Sequence, residues 1–340
     1  MTHFVGLDVS KATTSICILD QRGQKVREGV VETEPGAIIG YLRGEGRRYR
    51  RIGIESMSFT PWLYEALAKA GLPIICIEAR HARSVLKGRL NKTDRNDAQG
   101  IEELMRTGVY KAVHIKTRRS QEAKLLLAAR RLLRFKVRDI DNLVRGALLQ
   151  SGLKIRPRQV YSFDQRAELL LPATGVLRDV VGALLTSRRA LEAQIERLED
   201  LIERAVAADP VCQRLMTAPG VGPLTSLAYR AAIDVPERFA RSRDVGVHLG
   251  LTPGAFRSGT IERRQRISKC GDQAARSALF LAAQSVLRTR TRETDLKRWG
   301  VQVAASRGAL KATVAVARRL AVILHRMWCD GTDFRQSAEP

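Results

Sequence analysis

The character of this chain changes near residue 116, and that change limits its architecture more than any other feature. Before it, apolar residues fall in short runs separated by turn-forming residues. Residues 4–9, 14–19, 51–55 and 73–78 read as strands, with a tight turn at Gln21-Arg22-Gly23, a third strand over 29–34 and a last one over 113–115. Residues 34–44 and 62–71 read as helices between them. The apolar runs alternate poorly, as in central strands covered on both faces. After residue 116 the apolar residues recur at helical spacing over long stretches. The fold class expected is therefore α/β followed by all-α, with segments 1–115, 116–210 and 211–330 as domains.

The long helical stretches carry most of the charge asymmetry. Over 116–158 there are 13 Lys or Arg and 3 acidic residues, above a stripe that includes Leu125, Leu132, Val137, Ile140 and Val144. A solvated face over a core stripe accounts for the leucines. It leaves the surplus of positive charge, which repels itself unless a polyanion neutralises it. Residues 176–207 form a second long helix of mixed charge, suited to a coiled-coil hairpin with the first and to dimerisation. Across the 340 residues, 59 Lys plus Arg stand against 35 Asp plus Glu, a formal charge of +24. That balance favours nucleic acid as partner. An anionic membrane is the competing partner, but no apolar run is long enough to span one, and the first residues enter a strand without a signal-peptide layout. The 5 cysteines show no CxxC spacing, which points to buried thiols in a reducing, cytoplasmic setting.

Against this basic background four carboxylates stand out: Asp8 in Gly-Leu-Asp-Val-Ser, Glu55 in Ile-Gly-Ile-Glu, and Asp94 and Asp97 in Lys-Thr-Asp-Arg-Asn-Asp-Ala. The first two sit on or just after strands, and the second two at a helix start. Carboxylates that share a small site need a cation between them, and oxygen-only ligation favours Mg²⁺ or Mn²⁺. Each also has a plain structural role open to it: Asp8 capping a turn, Glu55 pairing with Arg51, Asp94 capping its helix. Further along, Pro219-Gly-Val-Gly-Pro223 resembles the glycine turn of a helix-hairpin-helix, whose N–H groups can meet phosphate. The polar loop 255–266 holds Ser258 beside Gly259, and Ser268 follows in Ile-Ser-Lys; arginines 257, 263, 264 and 266 and Lys269 could stabilise charge on a phosphate there. His248 lies in an apolar stretch and reads as core. Residues 273–287 and 310–328 read as closing helices.

Taken together and in order, these motifs resemble the DEDD transposases of the IS-one-ten/IS-eleven-eleven insertion-sequence family, relatives of the Piv DNA invertase. The matching strings run from Gly6-Leu-Asp-Val-Ser-Lys11 through Lys92-Thr-Asp-Arg-Asn-Asp-Ala98 to Ile267-Ser-Lys-Cys-Gly-Asp272. The resemblance implies an N-terminal RuvC-like (RNase H-like) domain, a coiled-coil arm and a helical C-terminal transposase domain. It carries a metal-binding tetrad onto Asp8, Glu55, Asp94 and Asp97, with Mg²⁺ or Mn²⁺ as cofactor. It also carries a nucleophilic serine onto Ser258, with Ser268 as the fallback. Arg257-Ser258-Gly259-Thr260 stands where family members often have Ser-Ser-Gly-Gly. The partners implied are donor and target double-stranded DNA, a structured non-coding guide (bridge) RNA, and further copies of the chain in a dimer or tetramer. Two other readings stand beside it: a RuvC-like nuclease or junction resolvase that uses the carboxylates alone, and a nucleic-acid-binding protein without chemistry.

Overall fold

The computed structural model describes residues 2–44, 46–86, 94–156, 161–258, 261–288 and 293–335; for residues 86, 94–96, 255–258 and 261–265 it describes the backbone element only. The chain divides into two compact units, Met1–Lys116 and Thr117–Pro340.

The first unit is a five-stranded sheet with helices on both faces. Its elements are β1 (Thr2–Val9), β2 (Thr13–Leu19), β3 (Lys25–Glu32), α1 (Pro35–Arg43), β4 (Arg48–Glu55), α2 (Thr60–Lys69), β5 (Ile74–Ile77), α3 (Ala79–Leu86) and α4 (Asp94–Thr107). The strand order is β3-β2-β1-β4-β5. β1 is central, antiparallel to β2 and parallel to β4, which is parallel to β5. On one face Val5, Leu7, Ile16, Ile18, Ile52 and Ile54 pack against Ile38 and Leu42 of α1 and Leu63 and Leu67 of α2. On the other, Phe4 and Ile77 pack against Ile101, Leu104 and Met105 of α4. Burial on both faces is why β1 and β2 lack alternation. The strand expected over 113–115 is not formed: Ala112 makes an isolated bridge to Ile77, flanked by two hydrogen bonds, the Glu78 N–H donating to the Lys111 carbonyl at 2.9 Å and the Val113 N–H to the Cys76 carbonyl at 2.8 Å. Val113 and Ile115 then turn to pack on the α1/α2 core, which pulls the chain off the sheet edge.

The second unit comprises α5 (Arg118–Gln150), α6 (Phe163–Glu168), α7 (Val176–Ala207), α8 (Pro210–Met216), α9 (Pro223–Ile233), α10 (Asp244–His248), the hairpin β6 (Pro253–Ser258) and β7 (Ile261–Ile267), α11 (Gln273–Arg288), α12 (Asp295–Arg307) and α13 (Ala309–Asp330). α5 stops at Gln150, short of 158, because Gly152 at φ +77° ends it. α5 and α7 run antiparallel: along their middle, Glu199 accepts from Arg130 and Arg134, and further along α5 Asp141 accepts from Arg188, which precedes Glu199 on α7. Their far end is sealed by Val144, Leu148, Phe163, Val181 and Leu185. Their near end packs Ala123, Ile202 and Val206 on α8 and α9. The principal core joins α8 to α13 around the fully buried Tyr229, whose hydroxyl donates to the Ala321 carbonyl at 2.7 Å. Where a loop was expected over 255–266, the described residues 253–258 and 261–267 pair as antiparallel strands. Asp295–Arg307 is a helix that the sequence reading did not separate. Gly220 of the glycine turn lies against α11, where a Cβ would sit 2.5 Å from the Ala282 carbonyl, so close packing explains it. None of the cysteines forms a disulfide; Cys17, Cys76 and Cys212 are buried, whereas Cys270 and Cys329 are exposed, contrary to expectation.

Candidate active site

In the first unit Asp8 and Glu55 lie on adjacent strands at one end of the sheet. Leu7 pairs with Ile54 in parallel register, so Asp8 and Glu55 follow as neighbours on adjacent strands. Side chains alternate along a strand, which puts Asp8 on the face of Gly6 and Glu55 on that of Gly53. Those glycines are themselves paired, and α4 lies across them. A Cβ on Gly6 would overlap the Ala98 carbonyl and lie 2.5 Å from the Glu102 nitrogen, and one on Gly53 would lie 2.7 Å from Ile101 Cγ2. No other residue lets the helix come this near.

The helix direction follows from the same contacts. Arg51 Nη1, at the start of the buried part of β4, donates to the Met105 carbonyl at 2.9 Å. Gly6 meets Ala98 and Glu102. Two further strand residues, about 6.6 Å, correspond to roughly four residues of helix. This directs the helix start, with Asp97 and Asp94, toward the end that carries Asp8 and Glu55. Asp97 precedes the sheet-facing Ile101 by one turn, and Asp94 stands in the same relation to Ala98. α4 thus points its positive, N-terminal end at the carboxylates. Asp8, Glu55 and Asp97 are half-buried. The side chain of Asp94 lies outside the described residues, as do Lys92 and Thr93 of its motif. Among the described residues, no three His, Cys, Asp or Glu side chains gather closely enough to hold one ion. The donor set is all oxygen, on rigid elements, at one end of one face, and its chemistry fits a hard divalent cation.

Arg51 is engaged with Met105 at the opposite end of the α4 seam from Glu55. In the turn after β1 the Ser10 Oγ donates to the Thr13 carbonyl at 2.8 Å. α4 begins at Asp94, which makes Asp94 its first helical residue rather than the cap that precedes it. The sequence reading missed Thr60. It is fully buried, its Oγ1 donates to the Glu55 carbonyl at 2.7 Å, and it accepts from the Met57 N–H at 2.9 Å, which fixes the end of β4. A Thr-Pro pair at a helix start was the available signal. Burial and then the Glu55 carboxylate push the Cys76 thiol up to about 11.

The second unit separates the two serine candidates. Ser258 ends β6 beside the hairpin turn, pairing with Ile261; its side chain and Gly259 and Thr260 lie outside the described residues. Ser268 is exposed at the hairpin base, its N–H donating to the Thr252 carbonyl at 2.9 Å. That base is interlocked. Gly250 (φ +66°) abuts Cys270, and Gly271 (φ +73°) abuts the His248 carbonyl, both too closely for a Cβ. Arg276 Nη1 donates to the carbonyls of Leu249 at 3.0 Å and Cys270 at 2.8 Å, stitching the two strands of the base together. Asp272 caps α11 through the Ala275 N–H at 3.0 Å and pairs with Lys124 of α5 at 2.8 Å. His248 is only partly buried and its Nε2 lies 2.8 Å from Arg238 Nη2, so it is a polar contact at the edge of the core.

Strand-borne and helix-borne carboxylates thus lie in one unit, and the strand pair that bears Ser258 lies in the helical second unit. Comparison with known families identifies the class. Residues 5–152 match a model for the DEDD transposase of IS110, and residues 212–297 match one described as Transposase IS116/IS110/IS902 family. The chain belongs to the IS110 family of insertion-sequence transposases. It is 29% identical over 332 residues to the transposase for insertion sequence element IS1111A of Coxiella burnetii, covering 94% of this chain and 88% of that one. It is 28% identical over 295 residues to a probable family 20 transposase of Pseudomonas aeruginosa, covering 84% and 85%. It is 26% identical over 240 residues to the transposase for IS1328 of Yersinia enterocolitica, covering 68% and 70%. DNA is the substrate this membership implies. No helix among the described residues is long and apolar enough to cross a membrane.

Proposed function

We propose that the chain joins donor and target DNA by serine attack assisted by a divalent metal, under the direction of a structured non-coding RNA. The observation that carries the first half is the paired glycines: they admit α4 to the sheet at the end where Asp8 and Glu55 emerge. Asp8, Glu55, Asp94 and Asp97 would hold Mg²⁺ or Mn²⁺, which when bound supplies Lewis-acid stabilisation of charge on the scissile phosphate. In this reading the first unit is a RuvC-like domain and the α5–α7 pair a coiled-coil arm.

Ser258 is the nucleophile of choice, because the interlocked hairpin base presents β6 from a rigid root. Its Oγ attacks phosphorus, forming a serine phosphodiester; the P–O bond to the deoxyribose breaks, and the departing sugar oxygen takes the proton. The phosphodiester energy is kept, and a second DNA hydroxyl displaces Ser258 to complete exchange. The surplus charge of α5 supports RNA or DNA on that helix, and delegating sequence choice to base pairing leaves the protein to read backbone and shape. Two DNAs and two exchanges suit a dimer or tetramer, with carboxylates and serine drawn from different copies. In that arrangement a mixture of Asp8→Asn and Ser258→Ala chains regains activity.

The test is a strand-transfer assay with Mg²⁺, the RNA transcribed beside the element, and both DNAs. Joined product and a covalent protein–DNA adduct, both lost in Ser258→Ala, support the reading. An adduct lost instead in Ser268→Ala moves the nucleophile to the hairpin base. Cleavage without adduct in every variant leaves a RuvC-like nuclease or junction resolvase.

A further inference from the structure

α5 carries two kinds of arginine. Arg130 and Arg134 face α7 and share Glu199. One residue further round, Arg131 and Arg138 flank the ring of Phe135, their guanidinium carbons 5.3 and 5.6 Å from its centre. Neither has a carboxylate partner among the described residues. Phe135 is 43% exposed and Leu132 57% exposed, on a face otherwise given to charge. Beside them, between α5 and the start of α11, is an open cavity of about 400 Å³ whose walls include Phe135, Leu132, Arg131, Asp272 and Gln273. That size is within the usual range for small ligands, roughly 300–1,000 Å³.

The pattern is specific in its chemistry. An aromatic ring and an aliphatic wall offer a flat apolar surface, and two unneutralised guanidiniums offer positive charge and planes that stack. Gln273 offers a hydrogen-bonding amide at the far side. Lys124 is paired with Asp272, so the phosphate-directed charge is that of Arg131 and Arg138. A second copy of this chain is a poor occupant, since each copy carries +24. A base pair inside a duplex cannot stack on a side chain, but an unpaired base can.

We propose that this cavity is a docking site for an unpaired nucleotide, its base stacked on Phe135 and its phosphate held by Arg131 and Arg138. The proposal deepens the nucleic-acid part of the proposed function and stands apart from the carboxylates and the serine, so it is tested by binding without turnover.

The experiment measures binding of the full-length protein to oligo(dT), oligo(rU) and a mixed-sequence duplex, each roughly 20 nucleotides long so as to exceed a typical single-strand site, at matched salt. Phe135→Ala is expected to weaken single-strand binding about fivefold or more and to leave duplex binding unchanged. Phe135→Trp is expected to keep single-strand affinity, with its added fluorescence quenched when the strand binds. Arg131→Ala should weaken all three and lower the salt slope by about one. The stronger of the DNA and RNA arms identifies which strand supplies the nucleotide. Unchanged or uniformly reduced binding in Phe135→Ala overturns the proposal, as does an unquenched Phe135→Trp. A switch of Phe135→Ala from dimer to monomer in sedimentation, with strand binding intact, overturns it in favour of a second copy on this face.

Discussion

Gly6 and Gly53 lie directly opposite one another on the two central parallel strands, and both are covered by α4. The gap left by two absent side chains sets the distance between the sheet and the helix that bears Asp97. Gly6→Ala drives a methyl into the Ala98 carbonyl, which is backbone and cannot swing aside. The expected cost is about 3 kcal/mol or more, read as a lowered urea midpoint. Gly53→Ala meets the ends of Ile101 and Met105 side chains and should cost less.

Asp8→Asn and Asp97→Asn should fold as the parent does and lose about 10³-fold in strand transfer. Adding Mg²⁺ should raise the thermal midpoint of the parent and leave that of Asp8→Asn unmoved, because a ligand stabilises only the form that binds it. An equal rise in both would remove Asp8 from the metal set.

Arg188 is 9% exposed and donates to Asp141 at 2.7 Å, Asp164 at 2.7 Å and Glu192 at 2.6 Å, and its guanidinium lies over Phe163. Arg188→Ala strands these carboxylates near the sealed end of the α5–α7 pair. A loss of about 3–5 kcal/mol is expected, with Arg188→Met milder because it refills the volume. Chemical denaturation of both variants distinguishes the charge from the packing.

Alkali should weaken the fold through its buried thiols. Burial first, and the nearby Glu55 second, raise the Cys76 thiol from 9.0 to about 11. Burial first, and Asp209 second, raise Cys212 to about 12. A thiol held protonated by the fold contributes its full stability below the unfolded value, and that contribution is lost as pH rises through the folded one. Unfolding free energy should therefore decline from about pH 9 toward pH 11. The decline should be shallower in Cys76→Ala, which has no thiol to ionise.

Arg276 tests the hairpin root. Arg276→Ala removes the donor shared by the Leu249 and Cys270 carbonyls. With Ser258 as nucleophile, the adduct should form more slowly while DNA affinity is retained. An unchanged adduct rate would mean that the glycine interlock alone positions β6.

Much of this was legible in the residues. The strands of β1, β2 and β4 announced themselves as apolar runs, and α7 was read to its ends because its heptad-like spacing is uninterrupted. The acidic positions were visible because each sits in a distinctive short string at a strand or a helix start. What was not legible depends on partners distant in sequence. The strings Gly-Leu-Asp and Gly-Ile-Glu do not say that their glycines face one helix; that emerges only when β1 and β4 pair. Segment 255–266 lacked alternation because its arginines and polar residues hide a hairpin's period. Thr60 looked like an ordinary helix start until its hydroxyl was seen to hold the Glu55 carbonyl.

The 33 residues of α5 form a rod about 50 Å long. At 3.4 Å per step that equals the axial length of roughly 15 base pairs, about a turn and a half of duplex. A straight rod of that length cannot stay in one groove of a twisted polyanion. Salt bridges to α7 at Arg130, Arg134 and Asp141 brace its middle, and apolar packing secures it toward both ends. On the proposed reading that places nucleic acid on α5, its arginines would meet phosphates of different turns or of different molecules at a spacing fixed in advance by the helix.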